Sequence, residues 1–237
     1  MLLKLPIVEC TFIKRLNRFV GLIEINGEVK KALITNTGRL EEFMVEGRKA
    51  FCVPKQGGKT EFILIGFLEK EGRGAIIDTR TQAKAFERAV ELGLISWLKN
   101  WKIKKKEVKI GNSRLDYLLN YNGEEIWVEM KSAVLRDGEY ASYPDCPSTR
   151  GQKHVKELIK LRKDGKRAML VFICALSGVK KFRPCELLLA HARSFVRVHS
   201  AVMRLLYSAS SEYLNLTHHP FGRSLASNRE IKWAIQK

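Results

Sequence analysis

The sequence predicts a two-domain protein that combines α and β structure. An oligonucleotide-binding-like (OB-like) β-barrel over residues 1–78 precedes an α/β sandwich around a mixed sheet over 79–184, and 185–237 form a separate tail. Three observations carry this prediction. Short strand-like runs fill the first 78 residues, a helical period begins after Asp78, and the order helix, three strands, helix, strand follows.

The first domain shows six strand-like runs and no long helical period. The runs are 7–14, 19–25, 28–35, 48–53, 60–68 and 73–77. Asn26-Gly27 is typical of a two-residue hairpin turn. Such barrels can stack bases on exposed aromatic rings, for which Phe12, Phe19 and Phe51 are candidates, although a strand phenylalanine is more often part of the core.

A helix is predicted after Asp78, with Thr81 as its N-cap and Gly93 as its stop. Its predicted apolar stripe consists of Ala83, Phe86, Ala89, Val90 and Leu94. Glu87 lies at the margin of this stripe, either as a half-buried functional carboxylate or as a surface residue that borders it.

A lysine-rich segment, KIKKKEVK, follows at 102–109. The alternation through Ile103 and Val108 predicts a basic edge strand or loop, along which Lys104 and Lys105 could contact phosphates. The alternative is an ordinary solvated run of charge.

Asn122-Gly123 predicts a second two-residue hairpin turn, between strands at 113–121 and 124–132. With this turn, Asp116 lies opposite Glu129, and Lys131 follows on the same face. Two carboxylates opposed at a Cβ separation of about 5 Å repel each other, so the pattern predicts a cation between them, most simply a divalent metal.

The oxygens of Asp116 and Glu129 suit Mg²⁺ or Mn²⁺ better than zinc, and the backbone carbonyl of Met130 is available as a further ligand. Such a metal could activate water towards a phosphodiester, with Lys131 as a positive charge beside the scissile phosphate. Without a metal, Lys131 would simply neutralise Glu129.

Beyond an irregular segment that reaches Pro147, a helix is predicted at about 150–163 and an apolar strand at 168–176. One side of the helix is apolar and another carries lysines: Val155, Leu158, Ile159 and Leu161 against Lys153, Lys156, Lys160 and Lys163. The lysine side either contacts a phosphate backbone or is a solvated face.

The net charge of +18 indicates a polyanionic partner, with nucleic acid the first to consider, and residues 81–182 carry 21 basic against 12 acidic residues. A lysine-rich thermophile or ribosome-associated protein is the alternative. Five cysteines without a CxxC pair favour reduced thiols. No apolar run is long enough for a membrane span and no secretory signal is visible, so we expect a cytoplasmic protein.

An Asp followed thirteen residues later by Glu-x-Lys across a hairpin resembles the PD-(D/E)xK nuclease superfamily. A more specific resemblance extends over about 10–184. The motifs RFVG at 18–21, TNTGRL at 35–40, SRLDYLL at 113–119, VEMKS at 128–132, YPDCPSTRGQKH at 143–154 and KFRP at 181–184 are similar to those of the sugar fermentation stimulation protein family.

This resemblance implies an OB-like barrel joined to a PD-(D/E)xK nuclease-like domain, with DNA, single- or double-stranded, as the partner. By position, Asp116, Glu129 and Lys131 match the nuclease core and Glu87 matches the helix acid. Asn36 and Thr37 match barrel motifs without assigned chemistry. The residues that we expect to contact nucleic acid are Arg18, Arg39, Lys104, Lys105, Arg150, Gln152, Lys153, Lys156 and Lys160.

Two features depart from the family pattern. Gln82-Ala83 replaces its Pro-Asn, and 185–237 lacks its last helix and strand. We interpret this tail as divergent, or as the result of a reading-frame change that resequencing of the gene would reveal. Its histidines lack a partner cluster and carry little weight as metal ligands: His191, His199, His218 and His219.

Two functions therefore follow from the sequence: a metal-dependent nuclease, or a non-catalytic DNA-binding regulator of sugar metabolism that keeps the nuclease fold. A basic RNA- or ribosome-associated protein is a third, but it leaves the acidic pair without a task. A homodimer is possible, since symmetric dimers are common among nucleases.

Overall fold

The computed structural model describes residues 3–69, 74–111, 113–143 and 149–184, and the backbone of three further strands. Side chains are described up to Arg183, except those of Thr149 and Arg150. None of the helices in this part of the chain is long and apolar enough to cross a membrane.

The N-terminal domain is an OB barrel, as predicted. The barrel consists of β2 (Val8–Asn17), β3 (Val20–Ile25), β4 (Glu28–Leu33), β5 (Lys49–Pro54), β6 (Phe62–Leu68) and β7 (Gly74–Ile76), and a short strand β1 (Leu3–Lys4) precedes it. The sheet order is β4-β3-β2-β5-β6-β7, and a parallel pairing of β4 with β6 closes the five strands β2 to β6. Phe12 and Phe51 are buried in the core, whereas Phe19 is exposed.

The C-terminal domain begins with α1 (Thr79–Glu91) and a short 3₁₀ turn (Ser96–Leu98). Its further elements are β8 (Lys102–Ile110), β9 (Ser113–Tyr121), β10 (Glu124–Ser132), β11 (Leu135–Asp137), β12 (Tyr140–Tyr143), α2 (Thr149–Lys163), β13 (Arg167–Ile173) and β14 (Lys181–Pro184). The strands β13, β10, β9 and β8 lie side by side, with β13 parallel and β9 antiparallel to β10. This is the predicted mixed sheet, with β8 as its basic edge.

The two helices cover opposite faces of this sheet. Phe86 of α1 packs against Tyr117, with ring centroids 5.5 Å apart. Along β13, Met169 and Val171 belong to the same cluster as α1, whereas Leu170 and Phe172 belong to the cluster of α2. Successive strand residues point to opposite faces, so the unbroken burial of residues 168–173 in β13 shows that the sheet is covered on both sides.

Both predicted Asn-Gly hairpins are confirmed. Asn26 and Gly27 have φ values of 53° and 81°, and Asn122 and Gly123 have values of 48° and 86°. Positive φ at both central residues defines the type I′ turn, whose twist matches that of the flanking strands. The pairs Ile25–Glu28 and Tyr121–Glu124 close the two hairpins in the predicted registers.

The start of α1 differs from the prediction. Asp78, not Thr81, is the N-cap: its Oδ2 accepts a hydrogen bond of 2.6 Å from the amide of Thr81. Gly93 does end the helix, with φ at 65° and its amide bonded to the carbonyl of Val90. The apolar stripe is rotated, because Gln82 and Ala85 are buried while Ala83 is half-buried and Leu94 exposed.

The segment that was predicted to be irregular contains two short strands. β11 and β12 pair with each other, and β12 pairs with β14 in a second, three-stranded sheet. Strands of three and four residues are too short for a visible alternation of apolar and polar residues, so the pattern did not reveal them.

Three strands fall within the predicted tail: β15 (Arg197–Ala201), β16 (Met203–Ser208) and β17 (Glu230–Ile235). β15 pairs in parallel with β13, and β17 pairs with β16 and β1. His199 lies in β15, where side chains are not described, and His191, His218 and His219 lie outside the described residues.

The barrel and the C-terminal domain share their packing. Each of the two hydrophobic clusters contains residues of both, for example Phe12 with Leu170 and Phe51 with Phe86. Polar contacts add to this, since Asn36 of the barrel donates to the hydroxyl of Ser132 at 3.3 Å. The barrel is therefore packed directly beside the end of β10.

Candidate active site

The β9–β10 hairpin brings Asp116 and Glu129 together at the end of its ladder. The described pairing runs from Tyr121–Glu124 to Tyr117–Val128, so the two acidic residues occupy the next positions. Oδ2 of Asp116 accepts a hydrogen bond of 2.6 Å from the amide of Met130. The side chain of Asp116 thus satisfies a backbone donor next to Glu129, and this fixes one carboxylate beside the other.

Glu129 is only 2% exposed, and its two oxygens have different surroundings. Oε1 contacts Nζ of Lys131 and Nδ1 of His154. Oε2 is buried and has no hydrogen-bond partner in the described part of the chain. Because a buried carboxylate oxygen without a partner is costly, its position suggests that it receives a ligand.

The two carboxylates differ in their proton affinity. Burial raises the pKa of Asp116 to about 6, and the charge of Glu129 adds to this increase. Burial also acts to raise the pKa of Glu129, but the hydrogen bond from His154 and the charge of Lys131 outweigh it, so that this pKa lies below its usual range. Of the two carboxylates, Glu129 therefore stays ionised to the lower pH.

This arrangement fits a hard divalent cation. Asp116 and Glu129 offer carboxylate oxygens, and the unpartnered Oε2 can accept a cation. No three His, Cys, Asp or Glu side chains among the described residues form a set that could hold an ion. The remaining ligands would be main-chain oxygens and water, as Mg²⁺ accepts; the Met130 carbonyl is a candidate, although its amide makes the observed contact with Asp116.

His154 was missed by the sequence reasoning. It lies in α2, is 7% exposed and contacts Glu129 through Nδ1. Its spacing could have revealed it, since positions 154, 158 and 161 lie on one side of a helix and Leu158 and Leu161 are buried. The predicted nucleic-acid contacts of this helix were mainly its lysines, which lie on the opposite side.

Glu87 does not join this cluster in the described contacts. Its Oε1 accepts from the hydroxyl of Tyr117 at 3.0 Å and its Oε2 from Lys106 at 2.6 Å. Tyr117 packs on the α1 face of the sheet, whereas Glu129 contacts His154 of α2 on the other face. The described contacts of Glu87 are thus with Tyr117 and Lys106 and not with Asp116 or Glu129, and its catalytic role stays a prediction.

The residues expected to contact nucleic acid fall on three surfaces. Arg18 and Arg39 are exposed on the barrel, and Lys104 and Lys105 are exposed on edge strand β8, where Lys104 pairs with Glu125 at 2.6 Å. The exposed side of α2 carries Gln152, Lys153, Lys156 and Lys160. Arg150 lies in α2, but its side chain is not among those that the structure describes. These assignments remain predictions.

Comparisons with known proteins extend over both domains. A family model described as the SfsA N-terminal OB domain matches residues 13–77, and one described as the sugar fermentation stimulation protein RE domain matches 80–209. A sugar fermentation stimulation protein homolog of Pyrococcus furiosus is 60% identical over 179 residues, which are 76% of this chain and 77% of the relative. One of Archaeoglobus fulgidus is 44% identical over 177 residues, 75% and 76% of the two chains.

Among solved structures, that of Pyrococcus furiosus SfsA in complex with Ca²⁺ is similar to this chain, with a TM-score of 0.83 and 47% identity. The similarity covers 98% of this chain and 95% of the other. Both domains, their order and the overall fold are therefore shared, and the chain belongs to the sugar fermentation stimulation protein family.

Proposed function

We propose that this protein binds DNA and hydrolyses phosphodiester bonds with a divalent cation held by Asp116 and Glu129. The observation that carries this proposal is the buried Oε2 of Glu129, which has no described partner and lies in a cluster with Asp116 and Lys131. A net charge of +18 supports a polyanionic substrate.

The fold also supports the proposed nuclease function. α1, the strands β8 to β10, α2 and β13 follow one another around a mixed sheet, which is the order expected for the PD-(D/E)xK nucleases that the Asp and Glu-x-Lys spacing resembles. The homologous structure named above contains Ca²⁺, a cation that also prefers carboxylate oxygens.

The roles of the side chains follow from their positions. Asp116 and Glu129 would hold Mg²⁺ or Mn²⁺, which when bound would polarise a phosphate oxygen and lower the pKa of water. Lys131 is 13% exposed at its side chain, so its ammonium group can face a substrate while it contacts Glu129. A positive charge there stabilises negative charge that develops on the phosphate.

A second candidate function is DNA binding without hydrolysis. Lys131 contacts Oε1 of Glu129 and can balance this buried charge, and His154 is a hydrogen-bond partner of the same oxygen. Such a site needs no cation for stability, and the protein would then act as a DNA-binding regulator that keeps a nuclease fold.

The deciding experiment incubates end-labelled single- and double-stranded DNA with the purified protein in Mg²⁺ or Mn²⁺. Glu129→Gln is compared with Glu125→Gln, which makes the same change at a half-buried position of β10, where the carboxylate pairs with Lys104. Cleavage by the wild type and Glu125→Gln but not by Glu129→Gln supports the nuclease. Salt-sensitive binding by all three proteins without cleavage in any metal supports the regulator.

A further inference from the structure

The β2–β3 hairpin ends in an exposed aromatic tip. Arg18 and Phe19 are its two turn residues, between the paired Asn17 and Val20. Oδ1 of Asn17 accepts hydrogen bonds from the amides of Phe19 at 2.8 Å and Val20 at 3.0 Å. The turn is therefore fixed by its own asparagine, while the Phe19 ring is left 52% exposed with the Arg18 guanidinium 5.9 Å from its centre.

Arg15 ties this tip to a second loop of the barrel. Its guanidinium donates to the carbonyl of Arg18 at 2.9 Å and to that of Asn17 at 3.2 Å. The same group donates to the carbonyls of Asn36, Gly38 and Arg39 at 3.3, 2.7 and 3.0 Å. One guanidinium that bonds both backbones keeps Arg18 and Arg39 near each other on one surface.

The second loop in turn reaches the candidate active site. Asn36 donates to the hydroxyl of Ser132 at 3.3 Å, and Gln82 donates to the same hydroxyl at 2.9 Å. Ser132 follows Lys131 directly at the end of β10. A continuous set of hydrogen bonds thus joins the exposed tip to the strand that bears Lys131.

We propose that this tip is a binding site for single-stranded nucleic acid, with Phe19 stacking on a base and Arg18 and Arg39 contacting phosphates. An aromatic ring can stack only on a base whose face is free, and a duplex offers such faces only at its ends. Arg39 has Glu41 as a partner at 3.6 Å, but both side chains are more than half exposed, and a phosphate can replace such a weak ion pair.

The proposal has a consequence for the substrate of the candidate active site. Since the tip is joined to the end of β10, a strand held by Phe19 would extend towards Lys131. This consequence rests on the proposed nuclease function, whereas the binding site itself does not.

The test measures the anisotropy of a labelled oligothymidylate of about 16 nucleotides and of a labelled duplex, both in EDTA. Because no metal is present, the result does not depend on hydrolysis. We expect Phe19→Ala to weaken binding of the single strand about 5- to 100-fold, with duplex binding unchanged. Val29→Ala is the matched control, since Val29 is an apolar residue that is 58% exposed. It pairs with Glu24, near the end of β3 that is far from the Arg18-Phe19 turn.

Two further variants separate stacking from simple apolar contact. Phe19→Tyr keeps an aromatic ring and should bind the single strand like the wild type, whereas Phe19→Leu should lose affinity as Phe19→Ala does. Arg18→Ala and Arg39→Ala should each lower the slope of log affinity against log salt by about 0.7. Equal affinity of Phe19→Leu and wild type, or an equal loss on both DNAs, would overturn the proposal.

Discussion

His154 of α2 contacts Glu129 of β10 through Nδ1, at the oxygen that Lys131 also contacts. This contact joins the helix on one face of the sheet to the strand that carries both Glu129 and Lys131. His154 therefore orients the buried carboxylate, and Oε2 is the oxygen that remains for a ligand.

We predict that His154→Ala destabilises the protein by about 1–3 kcal/mol, because a buried carboxylate loses a charge-assisted hydrogen bond. Urea-induced unfolding measures this loss, with Lys156→Ala on the exposed side of α2 as the control. Under the proposed function, cleavage should also fall about 10- to 100-fold. Unchanged stability would show that the contact with Glu129 contributes little.

How far the sequence predicts this site depends on the kind of signal. Asn-Gly turns fix a register locally, so the closeness of Asp116 and Glu129, one position beyond the Tyr117–Val128 pair, was predictable from the printed residues. The contacts of His154 and Glu87 depend on how the two helices pack on the sheet, and this is a tertiary property. Asp78 and Thr81 are both suitable N-cap residues, and local preference alone did not choose correctly between them.

The raised pKa of Asp116 predicts a pH-dependent stability in metal-free protein. The carboxyl group of Asp116 has a pKa of about 6 in the folded protein and about 3.9 in the unfolded chain. The folded state therefore binds the proton of Asp116 more tightly. The contribution of Asp116 to the free energy of unfolding is fully present below about pH 4 and is lost as pH rises through about 6.

Asp116→Asn removes this titration and can still accept the hydrogen bond from Met130. We expect the variant to be more stable than the wild type by up to about 3 kcal/mol above pH 7, with the difference vanishing near pH 4. Urea unfolding in EDTA across this range gives the measurement. A difference that is constant with pH would contradict the assignment.

Gly66 of β6 is required by the close approach of another backbone. A Cβ at this position would overlap the carbonyl oxygen of Ala75 in β7, so the two strands could not keep their pairing. We predict that Gly66→Ala costs about 3 kcal/mol or more, because backbone cannot yield as a side chain can. Gly27→Ala is the control: its Cβ would meet nothing within 4 Å, and only its φ of +81° costs about 1 kcal/mol. Thermal unfolding of both variants checks the order.

Arg136 joins the C-terminal domain to the barrel. Its guanidinium donates to Oε1 of Glu69 at 2.6 Å and to the carbonyl of Ser177 at 2.8 Å, and its amide donates to Glu42 at 3.0 Å. Glu69 is 9% exposed at its side chain, so its charge depends on these partners. The remaining oxygen of Glu69 accepts from the amide of Ser177 at 2.9 Å.

Arg136→Met should therefore destabilise the protein by about 2–4 kcal/mol, since it leaves a buried carboxylate without its counter-charge. Glu69→Gln, added to Arg136→Met, removes that charge and should restore part of the lost free energy of unfolding. A double-mutant cycle by urea unfolding gives the coupling energy, which we expect to be about 1–3 kcal/mol. Additive effects of the two substitutions would mean that the ion pair does not hold the domains together, and that the shared hydrophobic clusters alone do so.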